Sequence, residues 1–300
     1  MKNENHIKGL IFVIIGASLW GIGGTASDYI FTHTPTNVSW YVTARLLISG
    51  VILLSIYTLF FRKRLRTVWT KHTTLMFLIY SIFGMTMVQY TFMAAIGYGN
   101  AAVATVLQCT GPIYIILYAI FKKYRPWTKF EAIIILAMII GVFLIATNGN
   151  IESLSVPPLA LAFGLLSGIA LAYYTIHAPV LMQYLHPLQL VGGSMLVGGI
   201  LMNFIHPIWE FEYQFDWTFT QILILVLSIL LGTTLAFFLY ITSTKYLSST
   251  ETGILGLLEP VSAVITSVLL LNVSLGIYQT IGIIIILAVG IFISTRKQKA

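Results

Sequence analysis

Residues 38–71 read VSWYVTARLLISGVILLSIYTLFFRKRLRTVWTK. The stretch Val38–Phe61 holds a single charge, Arg45, and is long enough as a helix to cross a hydrocarbon core about 30 Å thick. Directly after it come Arg62, Lys63, Arg64, Arg66 and Lys71. An uncharged span that ends on a block of cations is the signature of a membrane helix leaving the bilayer on the cytoplasmic side. The whole chain has the same character: 300 residues, 58% hydrophobic and 8% charged, with a mean hydropathy of +0.93. A soluble domain carries about a quarter charged residues, so 16 Lys+Arg and 9 Asp+Glu are too few to solvate a globule of this length. The single cysteine, Cys109, excludes a disulfide scaffold.

Working outward from that span, ten apolar runs are predicted as membrane helices: Gly9–Phe31, Val38–Phe61, Thr73–Ala95, Asn100–Phe121, Thr128–Thr147, Pro157–His177, Pro187–His206, Phe219–Thr242, Glu251–Leu271 and Leu275–Ser294. Their continuous, non-alternating hydrophobicity predicts helices rather than barrel strands. The fold class is therefore all-α integral membrane. The first run is too long for a cleaved signal peptide and lacks a small-residue exit, so it is read as an uncleaved helix. With both termini in the cytoplasm, 15 of the 16 basic residues fall inside and none outside; the remaining one is Arg45. The basic excess is thus a topology signal, and nucleic acid drops out as a partner.

The runs also repeat. A shift of 148 residues brings Gly84 onto Gly232, Thr86 onto Thr234, Tyr98 onto Tyr246 and Pro112 onto Pro260. Shifts of 149 and 151 bring Gly50 onto Gly199 and Phe12 onto Phe163. The expected organisation is two five-helix halves, 1–147 and 157–300, joined by an outer loop at 148–156. An odd number of helices per half forces the second half to enter from the opposite face. Inverted repeats around a midplane site are a recurrent build for secondary transporters.

Three patches resemble a known family. Gly16-Ala17-Ser18-Leu19-Trp20-Gly21 in the first run, Ala44-Arg45-Leu46-Leu47 in the second and Leu258-Glu259-Pro260-Val261 in the ninth are similar to recurrent motifs of the EamA branch of the drug/metabolite transporter superfamily. The resemblance extends over essentially the whole chain, including the five-plus-five count. It implies a secondary-active permease that exports a small metabolite such as an amino acid, an amine or a drug-like compound. The cavity it implies is lined by helices 1, 3, 4, 6, 8 and 9. Members often carry a Gly-Glu pair after helices 4 and 9. Here those places read Lys123-Tyr124 and Asn272-Val273, which removes that glutamate.

From the residues themselves, the ionisable groups inside the spans are Asp28, Arg45, Glu131, Glu251 and Glu259. Each must find a partner or water, because a charge in hydrocarbon costs several kcal/mol. Glu131 and Glu251 lie at helix starts, where a carboxylate meets the positive end of the helix dipole. Glu259 lies about 12 Å in from Glu251, near the midplane. Pro260 follows it and frees the carbonyl of Gly256; in the other half Pro112, next to Gly111, frees the carbonyl of Gln108. Two broken helices meeting at mid-membrane are where a substrate site is expected, and the alternative is a pair of packing kinks beside a structural carboxyl. Asp28 and Arg45 are read either as an ion pair or as a substrate contact. Trp20, Gln89, Tyr90, Gln108, Tyr174, His177 and Tyr240 are candidate cavity walls, with helix-to-helix hydrogen bonding as the alternative use of each. Trp40, Trp69, Trp127, Trp209 and Trp217 fall at predicted interfaces.

No G-x-x-x-x-G-K-[ST], H-E-x-x-H or G-x-S-x-G occurs, so neither ATP hydrolysis nor a membrane hydrolase is indicated, and no cofactor or metal is expected. Gly97-Tyr98-Gly99 lacks the Thr-Val that precedes it in a potassium filter. The expected partners are a small-molecule substrate and the lipid bilayer of the plasma membrane. A coupling proton or ion and a homodimer are left open. A channel, and more remotely an intramembrane enzyme, are the rival functions.

Overall fold

A computed structural model describes residues 2–60, 69–124, 126–150, 154–211, 214–247, 252 and 255–295 of the 300. Among these residues all regular structure is helical, with no strand. In chain order the helices are α1 (Lys2–His33), α2 (Val38–Phe60), α3 (Lys71–Tyr98), α4 (Ala101–Phe121), α5 (Lys129–Thr147), α6 (Pro158–Leu181), α7 (Pro187–Ile205), α8 (Phe219–Ser243), α9 (Leu258–Leu271) and α10 (Ile277–Thr295). The first eight are long and apolar enough to cross a membrane, and α9 and α10 are shorter apolar helices. The basic block Arg62–Arg66, Arg125, Glu152, Glu251 and the tail from Arg296 lie outside the described residues.

Local chemistry sets the helix ends. Thr70, Thr128 and Thr218 each form a capping box, with Thr73, Glu131 and Gln221 as the reciprocal partner. Glu131 is therefore a helix cap, as its position predicted. Asn100 caps α4 by accepting from the Val103 N–H, and Pro187 occupies the first turn of α7. The helices also close alike. Lys123 after α4 and Asn272 after α9 both take left-handed φ, 60° and 52°. These are the two places where the resemblance expects glycine, the residue best suited to that conformation.

Two helices switch register in mid-course. Tyr80–Thr86 in α3 and Leu230–Leu235 in α8 are π-helical. The repeat-matched residues Gly84, Thr86, Gly232 and Thr234 lie in them. In each stretch a threonine hydroxyl donates five residues back, Thr86 to the Ser81 carbonyl at 2.7 Å and Thr234 to the Ile229 carbonyl at 3.2 Å. Such bulges arise where the α-helical ladder is locally interrupted.

Packing is organised by exchange. The most extensive contact joins α2 to α7; α5 packs on α10; α1 packs on α8 and α9; α6 packs on α3 and α4. Small residues set these distances, as expected where helices associate without a hydrophobic driving force. On α5 and α10, Gly141 and Gly282 lie against each other's helix, so that a Cβ on Gly282 would sit 2.6 Å from the Gly141 carbonyl oxygen. Phe121, Phe204 and Phe219 are each at least 80% exposed, on the outside of a helical body that presents large apolar side chains along most of its elements. Only a lipid environment makes that surface stable.

Candidate functional site

The site is built at two helix breaks. In α4 the ladder stops at Gln108 and restarts at Gly111. Pro112 has no N–H to continue it, so Cys109 and Thr110 form a turn in which the Thr110 N–H reaches the Leu107 carbonyl at 3.1 Å. The Thr110 hydroxyl donates to that same carbonyl at 2.7 Å. Gly168 of α6 closes onto this turn, where a Cβ would meet the Thr110 hydroxyl and lie 3.3 Å from the Gln108 carbonyl oxygen. The sequence motif Gly164-x-x-x-Gly168 is thus the face that brings α6 onto α4, with Gly164 against Leu107.

The second break precedes α9. Leu255 and Gly256 are helical, Leu257 is a turn, and α9 begins at Leu258 with Glu259 in its first turn. Here α1 is the helix that closes on the break: Gly21 lies against the Glu259 carbonyl and the Ser262 hydroxyl. That hydroxyl donates to the Glu259 carbonyl at 2.9 Å and also reaches the Ser18 carbonyl at 3.3 Å. Trp20 packs edge-on to Phe237 and tilted against Tyr240 of α8, with ring centroids 4.6 Å from each. Its indole N–H is buried with no hydrogen-bond partner. A Cβ on Gly256 would lie 3.2 Å from the Tyr240 hydroxyl, so Trp20, Tyr240, Gly256, Glu259 and Pro260 come together as one cluster.

The remaining sequence candidates divide. The Tyr174 ring lies 5.2 Å from that of Tyr80. Gln89 and Gln108 are buried. Tyr90 packs edge-on to Phe163 at 6.1 Å. His177 turns onto its own helix, with Nδ1 2.9 Å from the Tyr173 carbonyl and its ring stacked on Tyr173. Among the charges, the mutual ion pair of Asp28 with Arg45 is not formed. The Asp28 carboxylate instead accepts the Ala101 N–H at 2.8 Å and ties α1 to the start of α4. A free N–H at a helix start is a ready partner for a carboxylate, and this one lies within reach of α1. Arg45, 3% exposed, donates through Nη1 to the Met93 sulfur at 3.2 Å.

Three contributors carried no sequence signal strong enough to single them out: Phe237, Met93 and Cys109. Cys109 lies in the α4 turn, and the Ala101–Gln108 stretch that leads into that turn packs on α9. A separate cavity of about 470 Å³ opens between the turns at Tyr98–Asn100, Ser155–Pro157 and Ser274–Gly276, with Asn148 and Gln279 in its wall. None of the candidate substrate-site residues named from the sequence lines it.

The EamA-like transporter family model matches residues 7–147 and again 158–295. The chain belongs to the EamA-like transporter family. Membership places it among multi-pass membrane transporters rather than enzymes. Among its relatives, this EamA-like chain is 33% identical over 294 residues to an uncharacterised inner membrane transporter, YicL, of Salmonella typhimurium (strain LT2), covering 97% of both chains. A solved crystal structure at 14% identity superposes with a TM-score of 0.61 over 98% of this chain and 97% of its own, which is a likeness of fold.

Proposed function

We propose that this EamA-like chain is a secondary-active exporter of small metabolites, of amino acid, amine or drug-like type, working by alternating access. The observation that carries the reading is the reciprocal closure of the two breaks. Helix α6 seats Gly168 on the break in α4, and α1 seats Gly21 on the break before α9. Unwound backbone at membrane depth is tolerated where it is enclosed in protein or lines a cavity, and discontinuous helices of this kind form transporter sites.

In this reading the chain is two inverted five-helix repeats, 1–147 and 157–300, linked through 148–156. Matched π-stretches, matched left-handed ends at Lys123 and Asn272, and the exchange pairs α2–α7 and α5–α10 support it. Both termini face the cytoplasm, which the distribution of basic residues supports, and the membrane is the cell membrane, as the printed name of the Salmonella relative suggests. Rocking of one half against the other exposes the cluster of Trp20, Tyr240, Glu259 and the freed carbonyls of Gln108 and Gly256 to each side in turn.

The test is reconstitution into proteoliposomes with a panel of labelled metabolites. A carrier gives saturable flux that unlabelled substrate on the far side accelerates. Flux that rises linearly with concentration and ignores the far side would make the protein a channel.

A further inference from the structure

We propose that the cavity of about 470 Å³ at the turns Tyr98–Asn100, Ser155–Pro157 and Ser274–Gly276 is a second binding site, apart from the helix breaks, and that it takes an uncharged saccharide of one or two rings. Its volume falls in the range of small-molecule sites, roughly 300–1,000 Å³. The three turns join α3 to α4, α5 to α6 and α9 to α10, so they gather at one end of the helical body. In the orientation proposed above, that end faces the external medium.

The walls of the cavity are locked on both sides. On one side α5 and α10 cap each other. Gln279, itself buried, donates from Nε2 to the Ile145 carbonyl at 3.2 Å and accepts the Gly276 N–H through Oε1 at 3.0 Å. Its own N–H donates to Asn148 Oδ1 at 3.3 Å. These are backbone groups that helix ends otherwise leave unpaired. On the other side Gly99 lies against α6, where a Cβ would sit 2.8 Å from that of Ala160. The Tyr98 ring stacks on Phe163, with centroids 5.7 Å apart and planes 6° from parallel. Asn100 accepts the Val103 N–H through Oδ1 at 2.9 Å. Walls already ordered lower the cost of holding a ligand.

The same bonds decide what the cavity offers. Both asparagines are fixed by their oxygens, which leaves the Nδ2 groups of Asn100 and Asn148 as unused donors. Ser274 and the Tyr98 hydroxyl make no hydrogen bond among the described residues. Tyr98 is half exposed, so Phe163 leaves much of its ring open. None of the described residues lining the cavity is charged, and an ionic solute finds no counter-charge there. Hydrogen-bonding groups spaced around an open aromatic ring suit a sugar, whose hydroxyls meet the polar groups while its C–H face lies on the tyrosine.

Saturation-transfer NMR on the full-length protein in phosphatidylcholine nanodiscs tests this with glucose, galactose, maltose and lactose, and with sorbitol as an open-chain control. At least one ring sugar is expected to saturate with a dissociation constant of about 1 mM or below, and about tenfold or more tighter than sorbitol. Ser274→Trp fills the cavity from a loop position and should abolish the signal. Asn100→Ser keeps a helix cap but loses the carboxamide donor, and should weaken binding about threefold or more. Tyr98→Ala should do the same, and Tyr98→Phe, which keeps the ring, should weaken it less. Trp20→Ala, at the breaks, should leave sugar binding unchanged. No ring sugar saturating, sorbitol bound as tightly as the best ring sugar, binding unaffected by Ser274→Trp, or binding lost in Trp20→Ala overturns the site. The wild-type comparison with sorbitol decides this even where a variant fails to fold.

Discussion

Gly23 of α1 and Gly232 of α8 meet backbone to backbone: a Cβ on either would sit 2.6 Å from the Cα of the other. Gly232 lies within the π-helical stretch Leu230–Leu235, so the interruption of α8 coincides with a close backbone approach to α1. The neighbouring Gly24 has its nearest contact at 3.8 Å, which is ordinary van der Waals distance. Gly23→Ala is therefore expected to destabilise by about 1–3 kcal/mol through overpacking. Gly24→Ala should be neutral or gain about 1 kcal/mol from helix propensity. Unfolding midpoints in detergent separate them; equal midpoints would show that the contact does not set the packing.

Asp28 serves α4 rather than Arg45. Its carboxylate accepts the buried Ala101 N–H, next to the Asn100 cap. Asp28→Ala leaves that N–H unpaired and should cost about 1–3 kcal/mol, whereas Asp28→Asn keeps an acceptor and should cost less. Thermal unfolding of both variants checks the order, and Asn behaving no better than Ala would contradict it.

His186 caps α7 through Nδ1, which accepts the Leu188 N–H at 3.2 Å. Burial, and then the positive charge of Lys245, push its pKa down to about 4 from the usual 6.5. The folded state therefore holds this proton less tightly than the unfolded chain. The stabilisation from the neutral imidazole is complete above about pH 6.5 and is lost as pH falls from there to about 4. His186→Asn retains a capping acceptor without a titrating group. Its unfolding midpoint should fall less than that of the wild type between pH 7 and 4, and parallel curves would sink the assignment.

Orientation has its own test. In a Cys109→Ser background, a cysteine introduced at Lys63 should react with a membrane-impermeant thiol reagent only from the cytoplasmic side. Labelling of intact cells from outside would invert the topology.

The membrane character and the helices were legible because hydropathy and charge act one residue at a time. The breaks were legible because Pro112 and Pro260 remove a donor wherever they sit. The π-stretches were not, since a one-residue widening leaves the apolar pattern almost unchanged; only the coincidence of Gly84 with Gly232 and Thr86 with Thr234 marked them. The destination of Asp28 was hidden for a different reason. Its partner is a backbone N–H at residue 101, and every non-proline residue carries one, so composition gives no clue. Trp40 was placed correctly at a helix end but not by its surroundings. It is buried against Phe211 and donates from Nε1 to the Ile208 carbonyl at 2.9 Å, whereas Trp69, Trp127 and Trp209 are exposed. Partners such as Phe237 for Trp20 depend on helices far apart in sequence coming together.

The central claim is that the cluster at the paired breaks carries the transported solute between the two sides. Counterflow tests it most directly: labelled substrate outside proteoliposomes preloaded with unlabelled substrate, compared for wild type, Glu259→Gln and Trp20→Ala. The account predicts transient accumulation by the wild type and a reduction of about tenfold or more in initial rate for each variant at equal reconstituted protein. Unchanged counterflow in both variants would contradict it.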